Sequence, residues 1–260
     1  MTEKMYSDGT LLFLSEMHRL TRHVQGGVPI KFIAPKNDKV LQVLKQIGFI
    51  DLIGVKTQIT PKDDDVVNWR VAHGAQVDGE KYDDVLAQYD GDIAQALQKK
   101  LFTGITEAMT NVANHAYDLN RIDGLNINDE SKEWWMFSQE KDGFLSVSFC
   151  DLGAGIPRTL PVKHPSLWKQ ISMLGKSNDA DAIDHAVRKS VSRTNDVGRG
   201  NGLGQIVQVV QAQNQSEVVI YSNKGTFTKI NGSKRLFRHS DSILGTLIYW
   251  KVPLQHKTST

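Results

Sequence analysis

Six apolar residues recur every three or four positions along one stretch of the chain: Leu97, Leu101, Ile105, Ala108, Val112 and Ala116. That spacing puts them on one side of a helix over about residues 92–117, and such a stripe must be buried against a second layer. The second layer is signalled further on. Residues 144–150 alternate, with Leu145, Val147 and Phe149 on one face and Ser146 and Ser148 on the other, the pattern of a strand with one covered face. Residues 133–137 are expected to pair with it through Lys141-Asp142-Gly143. The tail adds strands at 218–221, 226–230, 234–238 and 245–252, with Asn231-Gly232 as a hairpin turn. A second helix is expected over 203–213, and two weaker helical patterns lie between 158 and 197, one marked by Ile183, Val187 and Val191. These elements predict an α/β fold, a two-layer α/β sandwich with a mixed, mostly antiparallel sheet and helices on one face.

Ahead of that unit, Phe13, Met17, Leu20 and Val24 mark a helix that Gly26-Gly27 would stop. Residues 28–34 read as a strand ended by Pro35, and Val40, Leu44 and Ile47 as a second helix capped by Gly48. A chain of 260 residues can bury one large core, or one core and a small satellite. The expected division is therefore a small α/β module at 1–60, a polar linker at 61–91 that includes Pro61 and Asp63-Asp64-Asp65, and a second domain at 92–260. The single cysteine, Cys150, excludes an intrachain disulfide or a cysteine metal cluster and reads as a small buried hydrophobe. His18 and His23 are irregularly spaced and His164, His185 and His239 are isolated, so no histidine metal site is expected. A net charge of +2 does not point to nucleic acid. No apolar stretch approaches the roughly 20 residues a membrane span needs, and residues 1–6 lack the apolar core of a secretory signal, so cytoplasmic residence is expected.

Three short segments carry the chemistry. In Glu107-Ala-Met-Thr-Asn111-Val-Ala-Asn-His115-Ala-Tyr117 an acid and an amide lie four residues apart on one helix face. Asn111 could offer an amide oxygen to Mg²⁺, which commonly takes few protein ligands and fills the rest with phosphate and water. Glu107, one turn earlier, could accept a proton from a nucleophile; the plain alternative is two polar residues on a solvated face. In Asp151-Leu-Gly153-Ala-Gly155-Ile-Pro157 a carboxylate ends a strand before a glycine turn. It could accept from the exocyclic amino group of adenine, and an ordinary Asp-X-Gly turn is the other reading. In Gly198-Arg-Gly200-Asn-Gly202-Leu203-Gly204 four glycines precede a helix start, where free N–H groups favour phosphate. The run fits neither the dinucleotide fingerprint nor a Walker A loop, and a flexible linker is its alternative. Arg188, Lys189, Arg193 and Arg199 lead into it and could reach phosphate.

In this order the three segments resemble the GHKL (Bergerat-fold) ATPase superfamily, which groups gyrase-type, chaperone, histidine-kinase and mismatch-repair ATPases, over about residues 92–254. The stretch Glu107–Tyr117 is most similar to that of bacterial anti-sigma-factor serine kinases, down to the His115-Ala-Tyr117 ending. The resemblance implies ATP and Mg²⁺ as cofactors, Glu107 as general base, Asn111 as magnesium ligand and Asp151 as the reader of adenine. It further implies that Gly153, Gly155, Gly200, Gly202, Leu203 and Gly204 shape the pocket and lid, and that Thr246, after Gly245, sits near the adenine-binding aspartate. Residues 10–53 resemble part of a STAS fold, the domain of anti-sigma-factor antagonists, through Gly48-Phe49 to Ile53. Two departures stand out. The span 158–197 looks longer than in the compact kinases, and no upstream helix pair carries a phosphorylatable histidine. The expected function is a regulatory protein that uses ATP binding and slow hydrolysis as a conformational switch. The alternatives are a serine/threonine kinase acting on a STAS-like partner and a degenerate partner-binding module; a homodimer is compatible with each. The polar composition of 158–199 also suggests a lid without a fixed core contact.

Overall fold

The computed structural model describes residues 4–24, 30–89, 92–124, 132–173, 175, 178–192, 202–211 and 215–255. Among these, seven strands form one sheet: β1 (Arg70–Gly74), β2 (Trp134–Lys141), β3 (Phe144–Asp151), β4 (Glu217–Ser222), β5 (Gly225–Ile230), β6 (Ser233–Arg238) and β7 (Thr246–Pro253). Their order is β1-β2-β3-β7-β4-β5-β6, with every neighbouring pair antiparallel. The tight hairpins have the local chemistry they need, since Asp142-Gly143 and Asn231-Gly232 all hold positive φ. The last strand in sequence, β7, lies at the centre of the sheet. Its first residue, Thr246, is thereby set opposite Asp151, the last residue of β3.

Helix α6 (Gln95–Asn111) follows the apolar stripe and continues into a π-helical turn at Val112–Ala116. Its buried residues join Leu145, Val147 and Phe149 of β3 and Ile248 and Trp250 of β7 in the main core. Burial of each such side chain stabilises the fold by about 2 kcal/mol. Helix α10 (Gly202–Gln208) packs on α6 at Gly104, where a Cβ would lie 3.6 Å from Ile206 Cα. The Trp250 indole N–H donates to the Ile206 carbonyl at 2.9 Å and holds this helix to the sheet.

The expected α/β sandwich is present, but its sheet is antiparallel throughout and its helices lie on both faces, not on the single face expected. Helices α1 (Ser7–Val24), α2 (Asp38–Gln46), α3 (Phe49–Leu52) and α4 (Asp64–Val67) supply Leu11, Leu14, Val43, Ile50 and Val66 to a second core. They pack there against Trp135, Phe137, Cys150 and Leu247. The cause is legible in β2, whose run Trp134-Trp135-Met136-Phe137 has no polar position and is buried on both sides. The described residues of 1–60 therefore contribute to a core shared with the sheet instead of standing as a module.

The linker reading of 61–91 also changes. This stretch holds β1, which pairs with β2, and helix α5 (Glu80–Leu86), whose Tyr82, Val85 and Leu86 lie in the main core. The strand expected at 28–34 does not form over its described part. Residues 30–36 are irregular, Ile33 is 78% exposed, and the sheet edges belong to β1 and β6. This run pairs with neither edge, and a run without a hydrogen-bonded ladder is not a strand. Helix α2 does form as expected, with the Asn37 side chain accepting from Val40 N–H at 3.3 Å and Gly48 at φ 78° beyond its end.

The segment expected as a lid without core contact contains helices α7 (Ile156–Lys163), α8 (Pro165–Met173) and α9 (Asp179–Ser192). Ile183 and Val187 of α9 belong to the main core, and Leu160, Ile171, Ala182 and Ala186 bind the three helices to one another. Weak periodicity here reflects short helices sharing a small cluster. Among the described residues no helix is long and apolar enough to cross a membrane.

Candidate functional site

Where the main core meets the C-terminal end of β3, a cavity of about 720 Å³ opens between α6, α7, α9 and α10. Its size is that of a small-molecule site. Glu107, Asn111, Asp151, Gly155, Gly202, Leu203 and Thr246, all singled out in the sequence, line it. A larger groove of about 1170 Å³ lies on the other face, between α1 and the sheet, and none of those residues borders it.

Glu107 and Asn111 project from α6 toward the first turn of α10. A Cβ at Gly202 would lie 3.1 Å from Glu107 Oε2 and 3.2 Å from both Asn111 side-chain tips, so the glycine leaves room for the acid and the amide. Burial moves the Glu107 carboxyl above its ordinary value, toward the range where a carboxylate serves as a base.

At the far wall Asp151 is buried. The Gly153 N–H donates to its Oδ1 at 2.9 Å, and Thr246 donates both its backbone N–H and its hydroxyl. Burial outweighs these bonds and the nearby Arg121, so the carboxyl is pushed up to about 6. Ser222 braces the same corner, donating to the Gly245 carbonyl at 3.1 Å and accepting from Ile156 N–H at 2.9 Å.

The two walls are joined by the chain between them. Tyr117, just past the π-helical turn, donates to the Glu133 carbonyl at 2.6 Å and accepts from Leu152 N–H at 3.2 Å. Gly153 packs flat on the turn, where a Cβ would lie 2.2 Å from the Ala116 carbonyl oxygen. Gly155, at φ 80°, lies against the Asn223 amide and opens α7.

Two glycines expected to shape the pocket, Gly153 and Gly204, are placed differently. Gly153 does not line the cavity and instead sets the distance between its walls. Gly204 is buried behind it, its N–H donating to Ser190 Oγ at 2.8 Å. Gly200 lies outside the described residues, as do Gly198, Arg193 and Arg199. Of the basic residues, Lys189 reaches the cavity, whereas Arg188 pairs with Asp184 at 2.6 Å.

His115, Thr159, Lys163, His164 and Ser190 also line the cavity and were not identified from sequence. His115 carries a motif position but no stated role, and its imidazole is held below its ordinary value by burial and by the Lys163 ammonium. Lys163 has no sequence signal, because its place depends on where α7 starts after Gly155. Among the described residues no group of three or more His, Cys, Asp or Glu is arranged to hold a metal. Cys150 is buried on the second core, and burial pushes its thiol well up, which leaves it unreactive. No family model matches the chain, and no curated protein matches it.

Proposed function

We propose that the chain is a Mg·ATP-binding regulatory protein of the GHKL type, in which ATP binding and slow hydrolysis act as a conformational switch. One observation carries the reading: Glu107 and Asn111, Asp151 and Gly155, Gly202 and Leu203, and Thr246 come from four separate stretches and line a single cavity. Asp151 and Thr246 supply an acceptor and a hydroxyl suited to the adenine edge. Asn111 offers one oxygen, a donor set that fits Mg²⁺ completed by phosphate and water and does not fit a metal held by protein alone. Magnesium, when bound there, would neutralise phosphate charge. Glu107 would take the proton of the attacking water, and the chain would work mainly by positioning and charge neutralisation. Helices α7 and α9 supply Lys163, Lys189 and Ser190 to the same cavity, so nucleotide contacts would be transmitted to both helices.

Calorimetric titration with Mg·ATP, Mg·ADP and Mg·GTP, followed by release of labelled phosphate from ATP, tests this. Both adenine nucleotides are expected to bind, GTP at least about tenfold more weakly, with slow phosphate release. Absence of adenine-nucleotide binding at about 1 mM ligand overturns it.

A further inference from the structure

Among the basic side chains of the cavity, Lys163 stands out by its partner. It ends α7, and its Nζ lies 2.5 Å from Asp118 Oδ2, two residues beyond the π-helical turn that carries His115. Asp118 has a second cation in reach, with Lys132 Nζ 3.9 Å from its other oxygen. The Asp118 and Lys163 side chains are 30% and 38% exposed, and an ion pair with that much access to water is weakly held. A lysine ammonium on a flexible stem binds phosphate as a point charge and can be redirected by rotating its own side chain. The cavity beside it receives a second ammonium, that of Lys189 from α9.

Resting on the nucleotide reading above, we propose that Lys163 changes partner from Asp118 to the polyphosphate of a bound adenine nucleotide, so that the Asp118–Lys163 pair competes with the ligand and sets its affinity. Asp118 retains Lys132 when Lys163 leaves, so no bare carboxylate is left behind. Leu160, one turn before Lys163, packs in the cluster with Ile171 of α8 and Ala182 and Ala186 of α9. The exchange therefore places the difference between empty and occupied states at the seam between α7 and the end of the α6 helix.

The test is calorimetric titration of wild type, Lys163→Gln, Asp118→Asn and the double variant with Mg·ATP and with adenosine. Lys163→Gln is expected to weaken Mg·ATP at least about fivefold and to leave adenosine unchanged, while Asp118→Asn tightens Mg·ATP about threefold. The double variant is expected to bind like Lys163→Gln, because Asp118 acts through Lys163. Lys163→Arg, which keeps the charge, should retain most of the affinity, and guards against a loss caused by poor folding. Equal losses for ATP and adenosine, or a gain from Asp118→Asn that persists without Lys163, overturn the exchange. If wild type binds ATP in an Asp151-dependent way and Lys163→Gln changes nothing, this inference alone falls. If wild type binds neither ligand, the nucleotide reading falls and takes the inference with it.

Discussion

The backbone N–H of Ala154 donates to the carbonyl of Ala116 at 2.7 Å. This single bond ties the end of the helix bearing Glu107 and Asn111 to the turn that follows Asp151. Gly153 lies between them, and an added Cβ would meet Ala116 backbone, which cannot yield. Gly153→Ala is expected to cost about 1–3 kcal/mol, lowering the melting temperature by about 5 °C and abolishing nucleotide binding. At Gly202 the nearest atoms an added Cβ would meet are the flexible side-chain tips of Glu107 and Asn111. Gly202→Ala should melt within about 2 °C of wild type while weakening Mg·ATP about tenfold. Thermal denaturation and calorimetry on the pair check this contrast, and equal effects on stability would remove Gly153 as the spacer.

Asp151 makes stability and binding respond oppositely to pH. Its carboxyl is raised from 3.8 to about 6 by burial, so the folded state holds the proton more tightly than the unfolded chain does. Stability from this group is whole below about pH 4 and is lost as pH rises through about 6, by about 3 kcal/mol at most. Asp151→Asn should therefore be more stable than wild type near pH 7.5 and equal to it near pH 4, yet bind Mg·ATP at least about tenfold more weakly. In wild type the affinity should rise with pH through about 6, as the carboxylate becomes available to the adenine amino group. Urea unfolding at the two pH values and calorimetry across the range measure both effects; a flat affinity profile counts against Asp151 as the adenine acceptor.

Base and metal ligand separate in their variants. Glu107→Ala should leave Mg·ATP binding within about twofold while hydrolysis falls about 10² or more. Asn111→Ala should lose the magnesium dependence of binding as well as turnover. Single-turnover hydrolysis alongside binding isotherms distinguishes them, and a Glu107→Ala protein that turns ATP over at the wild-type rate would assign the base elsewhere.

Tyr117→Phe removes one hydroxyl and leaves two part-buried backbone groups, the Glu133 carbonyl and the Leu152 N–H, without the bonds it makes to them. The expected loss is about 1–3 kcal/mol, with a smaller drop in ATP affinity because the ring still fills its place. Denaturant unfolding reads the first and calorimetry the second; unchanged stability would mean that water replaces the hydroxyl.

Periodicity was enough to locate several elements, though β3, read as a strand with one covered face, is covered on both, with Ser148 and Cys150 buried under the second core. The α6 stripe, the alternation of β3 and the Asn231-Gly232 hairpin each encode their own geometry locally, and all three form where the pattern places them. The candidate site was legible to the same extent, since Glu107 with Asn111, and Asp151 before its glycines, have spacings that constrain direction. Layering was not legible from local pattern, because whether an apolar run such as Trp134–Phe137 is covered on one side or two depends on what packs against it. Residues 1–91 answer that question only in three dimensions, by covering the second face with α1–α4 and adding β1 to the edge. The partners of Asp151 and Lys163 were decided the same way. Thr246 meets Asp151 because β7 returns to the sheet centre, and Lys163 meets Asp118 because α7 turns back from Gly155 onto the π-helical turn; both pairings depend on tertiary contacts between residues far apart in the chain.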